Sequence, residues 1–178
     1  ALQAFFTTPT LRYPDLPGQR ADPPLLASLL ADVDAARKSI DLAVFDLDLG
    51  QLAQALLRAQ RRGVAVRLVV DSENLVAPEA SEQLGLLQRV GVALRFDRRE
   101  PFMHDKFVVI DRQISWLGSW NMTDNDTYRN NNNMLRLASR QIAADYAAEF
   151  EQMFGGRFGT SKRSATPRPA ARVGAARV

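Results

Sequence analysis

The sequence predicts an α/β protein with a mixed, largely parallel central sheet flanked by helices on both faces. Three observations predict it. Short β-branched and apolar runs alternate with segments of helical apolar spacing as far as residue 96. Glycines at 63 and 91 close two of the helical segments. Two further apolar runs, Lys106–Ile110 and Ile114–Ser119, are separated by only Asp111-Arg112-Gln113, short enough for a hairpin.

The elements follow in order. Leu2–Thr7 is a short strand, after which Pro and polar residues through Gly18-Gln19-Arg20 read as loop. Asp22-Pro23-Pro24 predicts a helix start, Asp22 as cap and Pro at the first positions. Leu25, Leu26, Leu29, Leu30 and Val33 continue it at helical spacing. Ile40–Phe45 is a buried strand. Leu49–Arg62 is helical, with Leu49, Leu52, Ala53, Leu56 and Leu57 on one face. Val64–Val70 is a second buried strand, Ser81–Val90 a helix and Val92–Phe96 a third strand. After the hairpin, Met122–Asn130 is a polar loop and Asn133–Leu137 a sixth strand. The last helix, Gln141–Phe154, carries Ile142, Tyr146, Phe150 and Met153 on a core stripe.

The boundaries of a single domain, residues 1–156, follow from this alternation. Residues 157–178 are rich in Gly, Ser, Pro, Ala and Arg, the composition of a linker or disordered tail. The 178 residues suit one domain with a sizeable core, and 46% hydrophobic with 24% charged content is that of a globular chain. No apolar run approaches the ~20 residues that span a bilayer. The absence of cysteine excludes disulfides and thiolate metal sites and fits either redox compartment. The chain opens at Ala1 rather than Met; a removed leader, and with it a secreted or periplasmic location, is an expectation the residues leave open.

The pI of 9.7 points toward a polyanion, but the basicity is uneven. The tail holds six bases and no acid, against 17 bases and 20 acids in residues 1–156. Within the body, Arg61-Arg62 and the cluster Arg95, Arg98 and Arg99 are the local basic patches. Solvated surface accounts for both. The second stands just before the one histidine, where it would line the mouth of a site for an anionic polymer.

That histidine, His104, lies in His104-Asp105-Lys106-Phe107-Val108-Val109-Ile110-Asp111, and Gly118-Ser119-Trp120-Asn121 follows the next apolar run. On a strand His104 and Lys106 point to one face, and Asp105 to the other. Ser119 and Asn121 form a second such pair. An imidazole, a cation and two short polar groups then converge on one phosphate-sized spot. Trp116 and Trp120 read as core, Trp120 with stacking on a substrate as the alternative.

The pattern His-x-Lys-x4-Asp-x6-Gly-Ser-x-Asn resembles the HKD motif of the phospholipase D superfamily. The likeness runs from Ala4-Phe5-Phe6-Thr7-Thr8-Pro9, through Ser39-Ile40-Asp41-Leu42-Ala43-Val44-Phe45, to the helix ending near Phe154. It implies phosphodiester chemistry without a metal or other cofactor. One imidazole attacks phosphorus to form a phospho-histidine; a second protonates the leaving oxygen and then activates water. By this resemblance His104, Lys106 and Asn121 are the catalytic group. Lys106 and Asn121 would bind non-bridging phosphate oxygens, with support from Ser119 and Gly118. Asp111, at the far end of the strand, is expected to be structural.

One phosphorus centre needs two imidazoles, and this chain has one. The partner implied is a second HKD motif, from an identical chain in a homodimer or from a C-terminal repeat, since the chain resembles the first repeat of two-repeat members. One position departs from the family. Many members carry Asn-x-Glu-Asn before the last strand, the Glu orienting the nucleophilic histidine. Here the run is Asn130-Asn131-Asn132-Asn133, and Asn132 takes that place. An amide can accept a hydrogen bond from imidazole but cannot supply negative charge to imidazolium. His104 is therefore either nucleophile or acid–base partner.

The acids Asp41, Asp46, Asp48 and Asp71, near strand ends, are read as solvated; no metal is expected from two carboxylates without further spaced ligands. Three functions fit. A nuclease on DNA or RNA is favoured by the Arg95–Arg99 cluster and the basic tail. A phospholipase D or phosphatidyl transferase needs an apolar rim, for which Phe102-Met103 is the candidate. A non-catalytic binding or dimerisation module is kept open by Asn132 and the single motif.

Overall fold

A computed structural model describes residues 1–9, 21–98, 101–163 and 170–177. Its elements are β1 (Leu2–Thr7), α1 (Pro24–Ala35), β2 (Ser39–Val44), α2 (Gly50–Arg61), β3 (Ala65–Val70), a 3₁₀ turn (Glu73–Val76) and α3 (Pro78–Arg89). They continue with β4 (Ala93–Phe96), β5 (Lys106–Ile110), β6 (Ile114–Gly118), α4 (Asp124–Tyr128), β7 (Asn132–Ala138) and α5 (Arg140–Phe154). A short hairpin, β8 (Arg172–Val173) with β9 (Ala176–Arg177), ends the described chain.

Seven strands form one sheet in the order β1-β7-β6-β5-β2-β3-β4. The sheet is mixed. Pairs β2–β3 and β3–β4 are parallel, as the strand–helix alternation of that stretch requires; the other four pairings are antiparallel. Antiparallel pairing is thus more extensive than the alternation alone implies, because β5, β6 and β7 follow one another without a crossover helix.

Alternation along β2, β3 and β5 feeds two apolar layers. Leu42, Val44, Leu68, Val70, Val108 and Ile110 face α1, α2 and α3 in the larger core. Ala43, Val69, Phe107 and Val109 face Ala143, Ala147, Phe150 and Met153 of α5. Each fully buried Leu, Val or Phe contributes about 1.5–3 kcal/mol of apolar burial, so the sheet that presents the site is held rigidly from both sides. The helical faces read from spacing are the buried ones, including Leu52, Ala53, Leu56 and Leu57 of α2. Gly63, at φ +85°, closes α2.

Several expectations change. Asp22 does not cap α1, whose N-cap is Pro23. Its carboxylate instead accepts hydrogen bonds from Tyr128 Oη at 2.6 Å and Gln51 Nε2 at 3.1 Å, tying α4 and α2 together. The polar loop 122–130 contains α4, started by Thr123, whose Oγ1 accepts from the Asp126 amide. Parts of the segment expected as a tail return to the body: Phe158 packs into the α5 core layer, and Ala171 and Val173 pack against Leu137 and Ile142. The loop expected over 10–20, residues 164–169 of the tail and Arg99 lie outside the described residues.

Candidate active site

The register brings one end of every strand in the large sheet to the same side. Val44, the last residue of β2, pairs with Lys106, the first of β5. Phe107 pairs with Leu117, Gly118 with Met134, and Asn132 with Thr7. Residues 104–106, 118–121 and 132 therefore gather where β2, β5, β6 and β7 meet. The opposite end holds Asp111.

His104 precedes β5 rather than standing on it, because the strand begins at Lys106. The two residues still converge, on Phe45. The His104 ring lies 4.9 Å from the Phe45 ring, edge to face, and Lys106 Nζ is 5.3 Å from the same ring centroid. Lys106 Nζ also donates to the His104 carbonyl at 3.0 Å. His104 is exposed; Lys106 is buried, 8% accessible. A reachable imidazole thus stands beside a largely desolvated ammonium. Burial pushes the Lys106 ammonium below the ordinary lysine range, against the opposing pull of the Asp126 and Asp105 carboxylates.

The backbone leading to His104 is anchored by a carboxylate that the sequence reading took as solvated. Asp71, at the end of β3, is fully buried; it accepts the Met103 amide at 2.7 Å and the Glu73 amide at 2.9 Å. Asp97, also buried, accepts Ser72 N and Oγ beside it. Asp41 is likewise buried, paired with Arg67 at 2.8 Å. Burial raises the carboxyls of Asp46 and Asp48. Acids at strand ends were mistaken for solvated because charge alone does not reveal the amides that will meet them.

The second half of the motif is an amide and hydroxyl network. Ser119 Oγ donates to Asn132 Oδ1 at 2.9 Å and accepts from the Asn133 amide at 3.1 Å. Asn132 Nδ2 donates to the Asp126 carbonyl, and the Asn132 amide to Thr7 Oγ1. The Asn121 amide donates to Asp126 Oδ2 at 2.8 Å, while Asn121 Oδ1 is buried with no partner among the described residues. Gly118 is demanded by its neighbour strand rather than by a ligand: a Cβ there would lie 2.1 Å from the Asn133 carbonyl oxygen. Trp120 is fully buried, its Nε1 donating to Thr127 Oγ1, so it does not stack on a substrate. Trp116 is buried too, donating to Asp32.

Asp126 is the site residue that sequence reasoning missed. Thr123-Asp124-Asn125-Asp126 has the spacing of a helix cap with an acid three residues on, a signal available in the sequence and passed over as loop.

The other candidates lie apart. Asp111 accepts the amides of Arg37, Lys38 and Ser39 at 2.7–3.3 Å. Burial alone would raise its carboxyl, but those amides outweigh it and leave it below the ordinary range. Asp105 faces the α5 side, where it lines a cavity of about 260 Å³ with His104, Phe102, Met153, Phe158 and Lys162. Arg95 and Arg98 are exposed on and after edge strand β4, three places from β5 in the sheet. Arg95 Nε donates to the Phe154 carbonyl at the end of α5.

Residues 29–154 match the family model described as "Cardiolipin synthase, PLD-like domain". The chain belongs to the phospholipase D-like family. It is similar to the mitochondrial cardiolipin hydrolase of Xenopus tropicalis, 37% identical over 67% of this chain and 56% of that protein. It is also similar to a phospholipase D of Rickettsia felis, 32% identical over 64% and 56%. The chain spans a little over half the length of these two curated relatives. Among solved structures, the phospholipase D family member Nuc from Salmonella typhimurium shares the fold at TM-score 0.74 and 21% identity, over 88% of this chain and 95% of that one. No described helix is long and apolar enough to cross a membrane.

Proposed function

We propose that this protein is a metal-independent phosphodiesterase acting through a phospho-histidine, with a nucleic-acid backbone as its substrate. The observation that carries the reading is the pairing of an exposed imidazole, His104, with a buried cation, Lys106, at one rigid sheet end. Lys106 is desolvated and pre-positioned, so it favours the charge that develops on non-bridging phosphate oxygens. Asn121 and Ser119 border the same spot.

In the reaction, one imidazole nitrogen forms a bond to phosphorus as the bond to the leaving oxygen breaks. A second imidazole gives that oxygen its proton. The same imidazole then takes a proton from water, whose oxygen displaces the histidine from phosphorus. His104 supplies one of the two. A second motif, from an identical chain or a further repeat, supplies the other.

The nucleic-acid reading is supported by exposed Arg98, Arg157 and Arg163 and by Lys162 on the wall of the His104 cavity. A phospholipid substrate is the second reading. Phe102 beside His104 is 57% exposed, and Phe6, opposite Asn133, is 69% exposed; both stand at the site end, and the relatives named above carry lipid-directed names.

The test is cleavage of plasmid and single-stranded DNA in excess EDTA, beside hydrolysis of cardiolipin-containing vesicles, with His104→Ala as control and molar mass by light scattering. EDTA-resistant DNA cutting lost in the variant is the expected result. Lipid turnover without DNA cutting transfers the site to the second reading. Cutting that persists in His104→Ala overturns the mechanism.

A further inference from the structure

The run Asn130–Asn133 holds no carboxylate. Asn132 is committed to its neighbours, Oδ1 to the Ser119 hydroxyl and Nδ2 to the Asp126 carbonyl. The charge in this network is one turn away, on Asp126. Its side chain is 9% accessible and both oxygens are engaged: Oδ2 with the Asn121 amide, Oδ1 with Asn130 Nδ2 at 2.6 Å. Its own amide is held by Thr123 Oγ1 at 3.1 Å, so α4 fixes the carboxylate in place.

We propose that Asp126 is the positioning carboxylate of this site, holding the Asn121 backbone and the Asn130 amide in place from α4. It also supplies a negative charge that acts on Lys106. The assignment deepens the phosphodiesterase reading and, for its catalytic consequence alone, rests on it.

Lys106 is met by few charges. His104 and Asp105 precede it, Phe45 covers it just past the end of β2, and the Asp126 carboxylate acts on it from α4; Asp126 also raises the carboxyls of Asp46 and Asp48. Both Asp126 and Asp105 hold the ammonium charged against burial, Asp126 more strongly. Removing the Asp126 charge therefore lowers the pH at which Lys106 loses its proton.

The chain has three lysines, Lys38, Lys106 and Lys162, so NMR titration of the full chain labelled with ¹³C-lysine reads Lys106 directly, without any substrate. In Asp126→Asn its midpoint is expected to fall. In Asp126→Asn/Asn132→Glu, which moves the charge to the middle of the network, it is expected to recover. The alkaline limb of any phosphodiesterase activity should move down with it in the single variant. Should Asp126→Asn fail to fold, Asn132→Glu alone adds a charge and must raise the Lys106 midpoint. A midpoint unmoved by Asp126→Asn, or unmoved by Asn132→Glu, overturns the assignment. A shifted midpoint in a protein that cleaves no phosphodiester leaves it standing and overturns the activity instead.

Discussion

At one end of β5, Asp111 accepts three backbone amides and its carboxylate is held below the ordinary range. At the other end, five residues away, Lys106 donates a hydrogen bond to the neighbouring carbonyl of His104 and is held below its ordinary range by burial. The same short motif thus carries two kinds of polar residue. One is satisfied by the fold and stabilises it. The other is kept partly desolvated by the fold, its chemistry left over for something outside. A polar residue whose hydrogen bonds are all used internally is structural; one held buried with capacity to spare is poised for a ligand.

Substitutions at the two ends should separate these roles. The largest expected effect is His104→Ala, which should cut phosphodiester cleavage by about 10³-fold or more, while leaving the thermal melting point in place, since the ring is exposed. An activity loss accompanied by unfolding would erase the distinction. Lys106→Met should lower kcat by about 10²–10³-fold, the usual cost of one transition-state contact. It should also keep or raise stability, because a buried charge is replaced by an apolar chain of similar length. Calorimetry beside kinetics checks both halves.

Gly118→Ala should destabilise by about 1–3 kcal/mol through overpacking against β7, read by urea denaturation, and should damage activity only through that movement of the strands. Asp111→Ala should have the smallest effect on the chemistry: a loss of about 1–3 kcal/mol for unpaired amides, with activity per folded molecule retained. The sign of its pH dependence is fixed. The folded carboxyl lies below the ordinary aspartate range, so its stabilisation is present above that range and is lost as pH falls through the lower folded value. Wild type and Asp111→Ala melting curves should therefore converge in strong acid and separate above about pH 4. Curves that stay parallel would refute the electrostatic part of the account.

Much of this was legible in the residues. Apolar spacing located the four long helices and most strands to within a few residues, since burial on one face leaves a period in the sequence. The spacing of His104 and Lys106 pointed to two side chains on one patch, and both lie against Phe45. What escaped has a common physical cause. Asp71 and Asp41 are buried acids whose partners are backbone amides or a distant arginine. Amides have no sequence signature, so such acids look like solvated ones until the chain is folded. The return of Phe158 and Val173 to the body was hidden for another reason: a few apolar residues in a polar segment need a pre-formed surface, and that surface is made by other elements.

Strand β1 has its own consequence. Among the described residues it is the edge of the sheet and pairs with β7, residues 2–7 with 132–137. During synthesis the first strand emerges long before its mate and waits with Phe5 and Phe6 uncovered. Pairing across such a span is slow, because a large loop must close before any contact is gained. The same pairing delivers Thr7 to Asn132, 125 residues later in the chain. The sheet end that gathers His104, Lys106 and Asn132 is thus among the last parts to be assembled.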